Sequence, residues 1–290
     1  MIETAGVTVL ALLASLHFAV GALLVKRGLH QTDSVSGSII TIATSLVIFG
    51  AAAVFTLERA EWSSPAIWIF AAIGLLRPSF STMLANEGKH RLGPTISATV
   101  EAASPLFAVM GGILLLSEPV EATTLIGAAG VVAGIMLLCL RGRGSARWSP
   151  LALLFPFCAA LIRSGAHVGA RWGLTLLPNV ILTGMIAYAV SFLIASSTAG
   201  LGRKLMGTRR ALQGWKWFVL AGLANSGAIF TLNSALMLGS VSRVSPLIAT
   251  YPLFTMILSA VFYRQEPITR LTVLAVAIVV PSVMLITLGH

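Results

Sequence analysis

Three ionisable side chains, Arg77, Glu101 and Arg163, each fall inside a run of hydrophobic residues long enough to cross a bilayer. A charge at the centre of the hydrocarbon costs about 2.5–3.5 kcal/mol on insertion scales, so such groups must face protein or water and mark a polar path. Arg77 and Glu101 lie in consecutive runs, about 13 and 11 residues from the link that joins them. As helices these would place the two groups within about 3 Å of the same depth, and an ion pair across the hairpin is geometrically easy. That pair would be structural, or one member would meet substrate or a coupling proton. Arg163 has no acid in its own run or in a run next to it in sequence. With His167 and Arg171 it forms an i, i+4, i+8 series, one helix face reaching from mid-membrane to the surface. A cation without an acid favours an anion, such as a substrate carboxylate or phosphate. Arg171, at the end of its run, suits an interface anchor.

Weaker signals surround these three. Glu101 shares a polar stripe with Pro94, Ser97 and Ser104, and Asn225 and Asn233 sit eight apart on one later run. Serine and asparagine in a bilayer often only join helices by hydrogen bonds. His17 is mid-run with no metal-ligating partner at i+4, which leaves a cavity role or a hydrogen-bonded packing role. Tyr188 and Tyr251, with Phe18 and Phe80, could stack on an aromatic or apolar substrate or simply pack. Pro105 cannot donate to the carbonyl four residues back, which belongs to Glu101, so it frees backbone polarity at the carboxylate's own position. The candidate set is therefore Arg163, Arg77, His17, Asn225, Asn233, Tyr251 and His167 for substrate, Glu101 for coupling, and Pro105 and Pro252 as hinges.

The elements that must hold these residues are set by composition. The chain is 57% hydrophobic and 10% charged, with mean hydropathy +0.94, against about 25% charged in soluble domains. It reads as an all-α polytopic membrane protein. Ten apolar runs fit a hydrocarbon thickness of roughly 30 Å: 4–26, 35–57, 65–87, 93–116, 122–140, 150–172, 179–199, 215–237, 241–263 and 270–288. The links are short, with no room for a soluble domain. The first run lacks a basic leader and nine more follow, so a cleaved signal peptide is not expected. The net charge of +10 comes from residues between the runs, with no aromatic-interleaved patch for nucleic acid. Of 19 lysines and arginines, 14 lie in odd-numbered links, which the positive-inside rule makes cytoplasmic, with both termini outside. Trp62, Trp68, Trp148, Trp215 and Trp217 fall at run boundaries, the headgroup level that amphipathic rings favour.

The chain also repeats itself. EAASPLFAVMGGILLLSEP (101–119) is echoed by YPLFTMILSAVFYRQEP (251–267), LVKRGL (24–29) by GARWGL (169–174), and AAIGLL (71–76) by VLAGLA (219–224). Residues 1–145 and 146–290 thus each hold five runs, and an odd number inverts the second repeat in the membrane. Inverted repeats suit alternating access around a midplane site.

In these motifs the chain resembles the drug/metabolite transporter superfamily, in its ten-helix branch with two EamA-type repeats. The best matches are Lys26-Arg27-Gly28-Leu29 and Arg171-Trp172-Gly173-Leu174, SPLF and YPLF, Ser117-Glu118-Pro119 and Gln265-Glu266-Pro267, and the glycine-rich fifth run LIGAAGVVAGIMLL. The resemblance implies a central cavity lined by helices one to four and six to nine, with helices five and ten peripheral. It implies export of amino acids, metabolites or toxic cations, the nearest likeness being to bacterial aromatic amino-acid exporters. Where the family often has Gly-Glu, this chain has Ser-Glu and Gln-Glu, a change that touches only turn chemistry.

Other classes fit less well. There is no Gly-x-Ser-x-Gly, His-Glu-x-x-His or Walker A loop, and the one aspartate, Asp33, lies in a link. No enzyme activity, metal or cofactor is expected. Cys139 and Cys158 suggest neither a disulfide nor a metal site. A passive channel explains proline-interrupted repeats less well than a transporter does. The expected function is secondary export of small amphipathic metabolites across a bacterial inner membrane, driven by a proton or counter-substrate gradient. Uptake or exchange of a more strongly anionic, phosphorylated or dicarboxylic solute is the alternative.

Overall fold

Hydrocarbon offers the backbone no hydrogen-bond partner, so a spanning segment must close its own bonds as a helix or a barrel. A computed structural model of the protein describes residues 2–56, 59–81, 84–85, 87, 92, 100–139, 150–206, 212–263 and 270–288. Twelve α-helices can be named in it: α1 Ile2–Gly28, α2 Ser34–Thr56, α3 Ala66–Leu75, α4 Ser104–Leu116, α5 Ala122–Cys139 and α6 Leu154–Leu176, followed by α7 Val180–Ser197, α8 Ala199–Met206, α9 Trp215–Leu238, α10 Val241–Ile248, α11 Tyr251–Tyr263 and α12 Arg270–Leu288. Six segments are long and apolar enough to cross a membrane, and four shorter apolar helices occupy the other expected spans. The chain is an all-α polytopic membrane protein.

Polar side chains set several helix starts. Asp33 accepts a hydrogen bond from the Ser36 amide at 3.0 Å as α2 begins. Asn179 accepts one from the Leu182 amide at 2.9 Å as α7 begins, while its own amide donates to Glu61 at 2.8 Å. Each satisfies a donor that the first helical turn leaves open.

Among the described residues three spans are interrupted. The third leaves α-helical geometry after Leu75, and Arg77 is extended at φ −132°, ψ 141°. Pro78 follows it, and proline pushes the residue before it into this region. The fourth span breaks in a turn at Ala102–Ala103, after which α4 starts with Pro105 in its first turn. The ninth breaks between Ile248 and Tyr251, and α11 starts with Pro252 as its second residue.

Packing runs mostly between the two halves of the chain. α1 lies along α9 and touches α10 and α11, and its counterpart α6 lies along α3 and α4. α2 packs on α7 and α9, as α7 packs on α2 and α3, and α5 pairs with α12. Exchanging each span with the one five later maps this pattern onto itself. The α5–α12 contact is tight because a side chain at Gly130 would overlap Ser282 and one at Gly134 would press on Val279. These two helices make few other contacts, the peripheral placement expected for them.

Candidate functional site

A cavity of about 90 Å3 lies between the third, sixth, seventh and eighth spans. Its polar lining comes from Arg77, His167, Thr183, Tyr188, Ser191, Asn225 and Asn233, and its apolar lining includes Ile73, Ile229, Leu232 and Leu236. The volume has room for several waters. Four residues singled out in the sequence, Arg77, His167, Asn225 and Asn233, thus share one space. Arg77 and Asn225 occupy matching positions in the two repeats, and both line it. The cavity is off-centre, however: the first, second, fourth and ninth spans, which the resemblance implied would also line it, contribute no residue to its described lining.

Arg77 reaches the cavity because its backbone is extended. Ser191 of α7, fully buried, donates its hydroxyl toward the carbonyls of Gly74 at 2.8 Å and Arg77 at 2.7 Å, the two acceptors exposed by the kink. A Cβ at Gly74 would run into the Ala187 carbonyl, so only glycine lets α3 approach α7 closely enough for this contact. No acidic side chain among the described residues pairs with Arg77. Arg163, His167, Tyr188 and Tyr251 lie within electrostatic range of it.

The ion pair differs from the one the hairpin geometry allowed. Glu101 Oε2 accepts from Arg163 Nη2 at 2.8 Å, and the two side chains are 10% and 26% exposed. Arg163 therefore has an acid, and Arg77 does not have this one. The reason is the interleaving: α6 packs on α4, so spans far apart in sequence are neighbours in space. Tyr251 lies beside Arg163 and packs edge-on against Phe18, with ring centroids 6.5 Å apart. His167 continues the Arg163 face into the cavity, its Nδ1 3.2 Å from Ser245 Oγ. Arg171, one turn further on, donates to the carbonyls of Leu236 and Met237 at 2.7 and 2.8 Å and so closes the end of α9.

His17 stands outside the cavity lining, whereas Tyr188 forms part of it. His17 sits on α1 against Gly227 of α9, with its Nδ1 buried and without a hydrogen bond among the described residues. Tyr188 packs flat on Phe49 with centroids 5.7 Å apart and accepts from Asn225 Nδ2 at 2.6 Å, which makes it a hydrogen-bonding wall rather than a free stacking surface. Pro94, Ser97 and Trp148 lie outside the described residues.

Sequence reasoning missed the hydroxyls that serve the broken spans. Ser15 donates toward the carbonyls of Leu247 and Ile248, both at 2.9 Å, and Thr250 donates to Leu247 at 2.7 Å. Ser164 donates to the Ser104 carbonyl at 2.6 Å at the other break. Sequence reasoning also gave Glu118 no partner, noting it only within the Ser117-Glu118-Pro119 match. Its carboxylate accepts from the amides of Val241 and Ser242 at 2.8 and 3.1 Å and from the Ser242 hydroxyl at 2.7 Å, capping α10 from the other half of the chain. Ser117, at the position where glycine is usual in the family, is left-handed at φ 52°.

An all-helical bundle of apolar spans, with a mutually symmetric packing pattern and a polar cavity carrying an arginine that no described acid neutralises, defines a polytopic membrane protein of the solute-carrying kind. The chain belongs to the EamA-like transporter family, whose model matches residues 6–140 and again 150–288. It is thus a membrane transporter of the drug/metabolite transporter superfamily. A solved structure described only as "Crystal structure of protein" is similar in fold, with a TM-score of 0.81 over 98% of this chain and 97% of that one at 18% identity. No curated protein matches the chain.

Proposed function

We propose that this protein is a secondary transporter that exports a small amphipathic metabolite bearing an anionic group, by alternating access. The observation that carries this reading is Arg77: a guanidinium lining a polar cavity with no carboxylate to neutralise it among the described residues. A bidentate guanidinium is matched to a carboxylate or phosphate, and the apolar lining suits the rest of an amphipathic solute. Amino acids, aromatic ones included, fall within this class. Breaks beside Pro105 and Pro252 supply the hinges, and Glu101 is the candidate for a coupling proton because it is the carboxylate buried at mid-span. Odd-numbered links are assigned to the cytoplasm of an inner membrane on the lysine and arginine distribution.

Purified protein in proteoliposomes tests the reading. Saturable counterflow of an anionic metabolite, lost at least tenfold in Arg77→Ala, is the expected outcome. Flux that rises linearly with concentration and ignores Arg77 would replace the transporter with a channel. Glu101→Gln with an unchanged pH profile would end the coupling role.

A further inference from the structure

The same cavity is unevenly charged across its described lining. Among the described residues it offers one uncompensated cation, because Arg163 is engaged by Glu101 at 2.8 Å and no described acid pairs with Arg77. None of the side chains lining it, among the described residues, is acidic. The chain as a whole has nine acidic residues, and Glu101 is the one at mid-span; Glu118 caps α10 and Glu61 accepts from Asn179. A zwitterionic amino acid would therefore bring its ammonium group into a space already carrying positive charge. Such a group could otherwise settle on backbone carbonyls freed at helix breaks. Those of Gly74 and Arg77 beside the cavity share the single hydroxyl proton of Ser191, and those of Leu247 and Ile248 share that of Ser15, so each pair is already partly engaged. Asn225, Asn233 and the Tyr188 hydroxyl supply neutral hydrogen bonds, which serve a keto or hydroxy oxygen but do not offset a desolvated charge. A second anionic group would be equally unmatched.

We infer that the site takes a small monocarboxylate without a cationic group, a keto, hydroxy or arylalkanoic acid, in preference to the corresponding amino acid or dicarboxylate. This rests on the transport reading above and narrows its substrate.

The test uses full-length protein and matched probes: phenylpyruvate, phenylalanine, phenylethylamine and phenylsuccinate, with 2-ketoisovalerate and valine as a smaller pair. Two readouts are taken, competition in counterflow and ligand-induced melting shift in detergent. At least one keto acid is expected to compete at least tenfold better than its amino acid and to raise the melting temperature in wild type but not in Arg77→Ala. The amine and the dicarboxylate are expected to be inert. Asn225→Asp, which adds a carboxylate to the wall, is expected to shift the preference at least tenfold toward the amino acid. An amino acid or phenylsuccinate that matches or exceeds the keto acids overturns the inference while leaving transport intact. An Arg77-dependent melting shift with keto acid but no flux supports the site and overturns the transport reading. Silence from every acid in both assays overturns the inference.

Discussion

The fourth and ninth spans are copies of one another that break at the same place and fill the break differently. In both, a helix restarts with proline in its first turn, Pro105 in one and Pro252 in the other. A serine from the first helix of the opposite repeat also reaches both breaks: Ser164 meets Ser104, and Ser15 meets Leu247 and Ile248. Four residues before the proline the copies part. Glu101 binds Arg163 across the repeats, whereas Ile248 is buried in the hydrophobic core with Leu247 and Leu236. What duplication kept is the backbone device and its hydroxyl partner. What it did not keep is the charge, so the ion pair belongs to this protein's chemistry rather than to the hinge.

Charge is the strongest lever on that difference. Arg163→Ala removes the guanidinium that Glu101 binds and is expected to cost about 3–5 kcal/mol, read as a large fall in melting temperature in detergent. Converting the fourth break to the ninth's pattern, with Glu101→Ile and Arg163→Met together, is expected to restore stability but not transport. A double variant that transports normally would erase the distinction between the copies. Glu118→Ala removes three hydrogen bonds to the start of α10 and is expected to cost about 2 kcal/mol, with Glu118→Gln recovering part of it. Loss of amide protection at Val241 and Ser242 in hydrogen exchange would localise the effect.

The serines test the similarity. Ser15→Ala and Ser164→Ala each remove a donor from a freed carbonyl and are expected to lower stability by about 1 kcal/mol each; unequal losses in a melting comparison would show that the two hinges are not equivalent. Ser117→Gly is the smallest change and runs the other way. It relieves a left-handed residue after α4, where a side chain is disfavoured by about 1 kcal/mol, and a small rise in melting temperature is the expected result.

The positions of the ten spans were legible because each is an apolar run of bilayer length. The repeat was legible because SPLF and YPLF, with the acid-proline pairs after them, are local strings. Arg77, His167, Asn225 and Asn233 were legible as polar residues where polarity is costly, and they line one cavity. The kink at Arg77 carried an unused signal, the proline after it. The partner of Glu101 was not legible, since chain order suggested Arg77 of the third span and the interleaved packing supplied Arg163 of α6 instead. Glu118 was hidden for the same reason: a carboxylate in one link caps a helix more than 120 residues away, as the 123-residue separation from Val241 shows.

That interleaving has a consequence for how the protein is made. A ribosome adds about 5–20 residues per second, so on the order of ten seconds separate completion of the first five spans from completion of the rest. Throughout that interval α1 lacks α9, α3 lacks α6 and α7, and α5 lacks α12. The early helices must wait in the bilayer with Glu101 lacking Arg163, Ser15 lacking Leu247 and Ile248, and Gly130 and Gly134 lacking Ser282 and Val279. Synthesis therefore passes through a stage in which the first half is inserted but unassembled, open to proteases that patrol the membrane. A chain stopped near residue 145 is expected to be cleared, and one supplied with the missing half as a separate polypeptide is expected to persist.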